Sequence, residues 1–513
     1  MPRFKEMPMC PSQTMLFGLS VEDALPGDDD VRAFSDVMDH LDYSKLESRC
    51  ADLGCPPYPP KVMAKILGYA YSQGLRSSRK IEKLLCIDVR FIWLAGGLKP
   101  DHNTLARFRK DRWEELKGLF ENSARLSAEA GLVFLNAVCT DGSKIQAATS
   151  RKRMYGERRL KREMDVVEKI LREAEEADRA EDERYGSGTD CGIPPHLRDA
   201  KERKAKLDEI ARRLKDEKKR VVVETEADSR VMKTSEGARP AYNLQASVDA
   251  ENQIIVAMKL TQSENDHSLL PEMVEKTESN MGLSPDVCLG DTGYADDKTL
   301  KWLSETGHDA LIPSQEPSRK PKREGLFANE CFARDDERNV FVCPAGRDLL
   351  FRGEIKKGNS TYLRYATSSC KDCSFRNQCV GENGDRCAIE INIVAELRQR
   401  MKERLESEEG KLLYQLRQEV SEPVFGRIKE NMGFRRFLLR GIEGATAESA
   451  LACMAHNVLK CVVSASAMAY LYANKTPAGR LSAVFLALNR FIRWTGRQLV
   501  LSTGQYARAG YSF

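Results

Sequence analysis

No stretch of this 513-residue chain reaches the roughly eighteen consecutive apolar residues of a membrane-spanning helix, so none is expected. The N-terminus MPRFKEMPMCPSQTMLFGLS lacks a basic region followed by an apolar run and a cleavage site, which reads as no export signal and a cytoplasmic protein. Charge of one sign is not in excess either. Lys and Arg number 81 against 77 Asp and Glu, a net charge of +4, so charge placement rather than total charge must indicate any polyanion partner. No internal repeat is found. Paired cysteines are scarce: of 15 cysteines, only Cys370 and Cys373 form a pair separated by two residues. Without an export signal these thiols are expected to be reduced or metal-bound rather than disulfide-linked.

What is present is a folded composition, 41% hydrophobic and 31% charged, on a chain too long for one core, because domains split beyond roughly 250 residues. Residues 1–135 read as a helical domain. Apolar positions recur at three- and four-residue spacing in KVMAKILGYAYSQG, SRKIEKLLCIDVRFIWLAGG and WEELKGLFENSARLSAEAG, with the Pro-rich PPYPP starting one helix and Lys99-Pro100-Asp101 breaking two others. Residues 136–313 read as the first part of a mixed α/β core. A buried strand in FLNAVCTDGSK ends on Asp141 and Gly142, and PAYNLQASVDA and NQIIVAMKLT form a hairpin. A helix from His267 to Asn280, the strand DVCLGDT, the helix DDKTLKWLSETG and the strand DALIPS follow. Within this core, residues 151–220 are almost solid mixed charge and read as a helical hairpin. Residues 314–390 read as an irregular, basic, Cys-containing insertion, 391–465 as helices carrying Glu422, and 466–513 as a helical tail.

Asp141 in AVCTDG and Asp291 in VCLGDTGY each follow a short apolar strand and precede small residues, the place where open α/β sheets carry functional side chains. Converging carboxylates suit hard cations such as Mg2+ or Mn2+, and two ions about 3.5–4 Å apart can clamp both oxygens of a phosphoryl transfer. Glu422 lies in SEPVFGRIKENMGFRRFLLRG, seven residues before Lys429, so a helix from Ser421 puts acid and ammonium on one face. Tyr414 and Arg417 share a face upstream. Downstream, Lys429, Arg435, Arg436 and Arg440 interleave with Phe434 and Phe437, a pattern that suits a nucleic-acid backbone and its bases. In the N-terminal helices, Arg76 to Lys80 (with Arg79), then His102, Asn103, Arg107, Arg109 and Lys110, are suited to phosphates and base edges. Cys343, Cys370, Cys373 and Cys379, with Cys331 and Cys387 at the margins, form a candidate structural zinc site of four thiolates.

Several separated blocks resemble one family, the DDE transposases of bacterial insertion sequences, in the insertion-sequence-four superfamily. YPPKVMAKILGYAYSQGLRSSRKIEKLL and FIWLAGGLKPDHNTLARFRK are similar to its helical domain, and ADSRVMKTSEGARPAYNLQASVD to the segment between its first two acids. TDGSKIQAATS, LGDTGY and EPVFGRIKENMGFRRFLLRG are similar to its three acidic motifs. The likeness runs from about Tyr58 to about Lys460. It implies a ribonuclease-H-like fold in which Asp141, Asp291 and Glu422 bind divalent metal, and Tyr414, Arg417 and Lys429, the Tyr-Arg-Lys of a Tyr-Arg-Glu-Lys signature, contact the DNA backbone. The Arg417–Glu422 interval is one residue longer than the usual form of that signature. The resemblance also implies double-stranded DNA partners, both transposon ends and target, and a homodimer to pair two ends. Two other readings of the same residues are a ribonuclease-H-like nuclease without strand transfer and a domesticated DNA-binding protein.

Overall fold

The structure is a computed structural model and describes residues 20–49, 57–185, 195–216, 220–313, 327, 331–335, 337–357, 360–368, 370, 372–379, 387–464 and 467–468. The chain divides into two compact units. One comprises Met1–Leu132, Ile428–Leu439 and Glu443–Phe513, the other Val133–Arg427 and Arg440–Ile442.

The first unit is helical. Asp29 caps the helix Asp30–Asp39 through the Val31 amide at 3.0 Å, Pro60 opens Pro60–Ser72, and Asp101 caps His102–Asp111 through Thr104 at 2.6 Å. Tyr69 packs its ring 5.4 Å from Phe34 and 5.4 Å from Phe91, joining three helices in one core. Into the same unit comes a segment from far along the sequence, the helix Gly441–Val463, which from Gly444 on is buried nearly all round. Its small residues admit close neighbours, and Gly68 returns the favour: a side chain there would begin 3.0 Å from the Met454 methyl. The polar groups on this helix are answered inside the unit, Asn457 by Ser123 at 3.3 Å and Cys461 by Ser127 at 3.3 Å. The unit boundaries thus differ from the linear segments read above, because the end of the 391–465 segment packs with the N-terminal helices.

The second unit holds a six-stranded sheet of β1 (Val138–Gln146), β2 (Arg230–Thr234), β3 (Gly237–Asp249), β4 (Ile255–Thr261), β5 (Cys288–Leu289) and β6 (Ala310–Leu311). β3 lies antiparallel to β1 on one side and to β2 and β4 on the other, while β1, β5 and β6 run parallel. The helices Leu270–Met281 and Asp297–Thr306 connect the successive strands, each closed by a glycine in the left-handed region, Gly282 and Gly307. Two findings depart from the sequence reading. β1 does not stop at Asp141 but continues to Gln146, since β3 pairs with its polar half as fully as with its apolar half. The segment taken as irregular contains a second sheet, β7 (Ala333–Asp335), β8 (Val340–Val342), β9 (Asp348–Lys357), β10 (Ser360–Ala366) and β11 (Ala388–Asn392), each antiparallel to the next. Its strands are short or solvated on most positions, which is why no clean alternation announced them.

Two further helices, Glu157–Tyr185 and Pro195–Asp216, meet along Leu160, Val167, Leu207, Ile210 and Leu214. Arg203 ties their base, donating to Glu163 at 2.7 Å and to Glu224 at 2.8 Å. Among the described residues no helix is long and apolar enough to cross a membrane. The helical tail read at 466–513 lies outside the described residues, apart from residues 467–468.

Candidate active site

Asp141, within β1, and Asp291, just beyond β5, occupy matching positions relative to the parallel pairing of the two strands. The last paired residues are Cys139 and Leu289, and each aspartate stands two residues beyond. The parallel pairing of β1 with β5 stops there, while β1 runs on against β3 to Gln146. The Gly142 amide donates to Asp141 Oδ1 at 2.8 Å, and the Gly293 amide to Asp291 Oδ1 at 2.8 Å. Burial raises the Asp141 carboxyl above the usual aspartate range. Arg417 and the Gly142 amide oppose this, and the charges of Asp291 and Asp266 add to it.

Asp266 is an acid that the sequence reading passed over. It follows β4 and is wedged between the two glycine turns. A side chain on Gly142 would begin 2.6 Å from Asp266 Oδ1, and one on Gly293 3.4 Å from Oδ2. Asn243 and Gln245, neighbours on one face of β3, donate to its Oδ1 at 2.7 and 2.6 Å, and Lys144 stands 3.7 Å from Oδ2. Tyr294 in turn donates to Gln245 Oε1. Its place along the chain carries no signal that could have found it, since Asp266 lies in the loop between β4 and the helix Leu270–Met281. Because both amides are fully buried, Asp266→Ala deprives two donors of their acceptor, and a loss of about 1–3 kcal/mol is expected on urea denaturation.

The helix Glu408–Gly426 runs beside β1. Arg417 Nη1 reaches Asp141 Oδ2 at 3.4 Å, and its guanidinium lies 5.9 Å from the half-buried Tyr414 ring. Glu422 is on this helix but exposed. Five residues past Arg417, it is turned by roughly 140° from it around an ideal helix, so the structure joins Asp141, Asp291 and Arg417 but leaves Glu422 on another side. Pro423 supplies no N–H to the Glu419 carbonyl, which accepts instead from Gln253 Nε2 at 3.2 Å. The helix is therefore loosened one residue after Glu422.

Lys429 is half-buried in the π-helical turn Arg427–Asn431, counted from Ile428 on with the first unit. Arg435 and Arg436 are exposed, Arg435 paired with Glu430, and Arg79 and Arg107 are exposed on the N-terminal helices. Arg109, expected on the DNA-facing surface, is instead a core residue with 3% exposure. It donates to Tyr71 Oη at 3.1 Å, the Arg76 carbonyl at 2.8 Å and Ser78 Oγ at 2.5 Å, and lies 3.6 Å from Glu448. Arg76 also turns inward, donating to the carbonyls of Arg436 at 2.6 Å and Gly433 at 2.7 Å.

The donor chemistry of Asp141 and Asp291, carboxylate oxygen throughout, fits a hard divalent cation such as Mg2+ or Mn2+. Among the described residues no three His, Cys, Asp or Glu side chains are closed tightly enough to hold a metal ion. Arg417 and Lys144 now counter the charge of Asp141 and Asp266.

Residues 342–462 match a family described as Transposase DDE domain, and residues 19–111 match one described as Transposase domain (DUF772). No curated protein matches the chain. Both matches are to families described as transposase domains, and together they cover less than half of the chain.

Proposed function

We propose that this chain is the transposase of a bacterial insertion sequence, which cuts transposon-end DNA with divalent metal and joins the freed end to target DNA. The observation that carries the reading is the pair Asp141 and Asp291, each two residues beyond the last position of the parallel pairing between their neighbouring strand segments. The sheet supports a ribonuclease-H-like core: β4, β3 and β1 lie side by side and antiparallel, and β5 and β6 continue the sheet parallel to β1. Asp141, Asp291 and Glu422 are the acids assigned to hold the metal, two Mg2+ or Mn2+ ions per site.

Bound there, divalent metal would activate the attacking hydroxyl and stabilise the leaving 3′-oxygen. The chain's own residues do the rest. Asp141 and Asp291 supply oxygen donors from a rigid sheet, and the Gly142 and Gly293 amides hold their carboxylates in place. Arg417, released from Asp141, neutralises a backbone phosphate together with Tyr414, and Lys429 is assigned a backbone contact of its own, each a sequence-independent and salt-sensitive contribution. Glu422 joins the site by a local rotation of its helix, and Pro423 is where the helix resists such a rotation least. Arg79, Arg107, Arg435 and Arg436 are the exposed cations assigned to DNA, and pairing of two ends calls for a homodimer.

The test is cleavage and strand transfer by the full chain on DNA bearing the termini of its element. Mg2+- or Mn2+-dependent nicking and joining are expected, both lost on chelation, and Glu422→Gln is expected to lower both on the order of a thousandfold or more with DNA binding retained. Cleavage without joining would make the chain a nuclease; binding without cleavage under every metal would leave a domesticated DNA-binding protein. Full activity of Glu422→Gln would remove that residue from the site.

A further inference from the structure

The second sheet of the second unit gathers five cysteines that are dispersed over 45 residues of sequence. Cys343 follows β8 in the turn Cys-Pro-Ala-Gly-Arg, which is closed by hydrogen bonds from the Gly346 amide to the Cys343 carbonyl at 2.8 Å and from the Cys343 amide to the Arg347 carbonyl at 2.9 Å. Gly346 takes φ +72, the left-handed region that favours glycine. The turn aims the Arg347 amide at Cys343 Sγ, 3.3 Å away. On the neighbouring strands, Cys370 follows β10 and Cys387 precedes β11. They are joined twice, through the Thr367 amide on the Cys387 carbonyl at 3.1 Å and the Cys387 amide on Cys370 Sγ at 3.3 Å. Cys379 closes the short helix Arg376–Cys379 and packs against the apolar cluster that holds Cys387.

Amide donors aimed at sulfur are what an anionic thiolate ligand requires, because a backbone N–H stabilises the charge that a neutral thiol does not carry. Cys343, Cys370 and Cys387 are buried in one apolar cluster with Phe341, Leu349 and Tyr365. Cys379 packs against the same cluster from its edge, and Cys373 is not part of it. Cys387, marginal in the sequence, is therefore central in space.

We propose that the second sheet holds one zinc ion on the thiolates of Cys343, Cys370, Cys379 and Cys387, with Cys373 outside the ligand set. Each thiol gives up its proton to solvent as zinc binds, and the four sulfurs close to about 2.3 Å from the metal in a tetrahedral arrangement. Zinc draws them together from their present spacing, which is wider than that of a metal-held group. The site is structural. A full complement of sulfur ligands leaves no open position for catalysis, and a small sheet with so thin a core needs such a staple.

The experiment is zinc analysis of the purified full chain and of two variants, with Co2+ substitution as an optical readout of thiolate ligation. About one zinc per chain is expected, retained by Cys373→Ser and lost by Cys387→Ser. Should Cys387→Ser fail to fold, the Co2+ charge-transfer intensity of the unsubstituted chain and of Cys373→Ser still counts the ligands: equal, four-thiolate spectra support the set. Zinc-free unsubstituted protein with no Co2+ thiolate band overturns the site, and zinc lost from Cys373→Ser or kept by Cys387→Ser overturns the assignment. None of these outcomes depends on DNA cleavage, so the zinc site and the transposase reading stand or fall separately.

Discussion

Asp141→Asn is expected to abolish cleavage and, in metal-free buffer, to make the protein more stable. The carboxyl of Asp141 is raised chiefly by burial, with 20% of the side chain exposed, and the Asp291 and Asp266 charges add to it. Its attraction to Arg417 works the other way but ranks below burial. The folded chain therefore holds this proton to a higher pH than the unfolded chain does. Stability is greatest below the unfolded value, falls as pH rises through the interval between unfolded and folded values, and remains reduced above it. An amide avoids that cost. At neutral pH we expect a gain of roughly 0.5–2 kcal/mol, seen as a melting temperature higher by a few degrees, and the difference should vanish in acid, where Asp141 is protonated in both states. Added Mg2+ or Mn2+ should stabilise the unsubstituted chain and not the variant. Catalysis should fall on the order of a thousandfold or more. A variant that melts lower without metal, or that still cuts DNA, would contradict this account of the site.

The second large effect is purely structural. Arg109→Met leaves Glu448, which is 0% exposed, without its cation. Glu448 keeps three donors, Tyr71 Oη at 2.9 Å and the amides of Leu438 at 2.6 Å and Leu439 at 3.2 Å, but these satisfy its lone pairs without neutralising it. Breaking a buried pair from one side costs about 3–5 kcal/mol, enough to take a marginally stable helical unit close to unfolding. The double variant Arg109→Met with Glu448→Gln should recover part of that loss, and the recovered part is the coupling between the two side chains. Arg107→Ala, two residues away on the exposed side of the same helix, should leave the melting temperature nearly unchanged. Equal, small effects of the two arginine substitutions would mean that Arg109 does not carry its weight in the core.

That contrast shows where the sequence was legible. Arg107 and Arg109 look alike in NTLARFRK, yet Arg109 lies four residues after Leu105 and so shares its buried face. Helical periodicity contains this information, but the habit of placing arginine outside hides it. The elements around the two aspartates were readable because apolar strands, glycine stops and amphipathic helices follow each other at ordinary spacing, and the helices Leu270–Met281 and Asp297–Thr306 fall where the pattern puts them. Asp266 was invisible because its neighbours Asn243, Gln245 and Lys144 come from two other strands, and only strand register brings them to it. Cys387 was discounted for the same reason, since distance along the chain says nothing about the β10–β11 pairing that sets it beside Cys370.

The return of Glu443–Val463 to the N-terminal helices has a consequence for biogenesis. A ribosome adding roughly 5–20 residues per second needs roughly 15–65 s to pass from Leu132 to Val463, and throughout that time the early helices lack the segment that fills their interior. Arg109 emerges early and Glu448 late, so a nascent chain must shelter a bare guanidinium and an unfilled apolar groove, a natural point of chaperone engagement. A ribosome stalled before that last helix would release a product poor at folding and prone to clumping, whatever the state of its catalytic sheet.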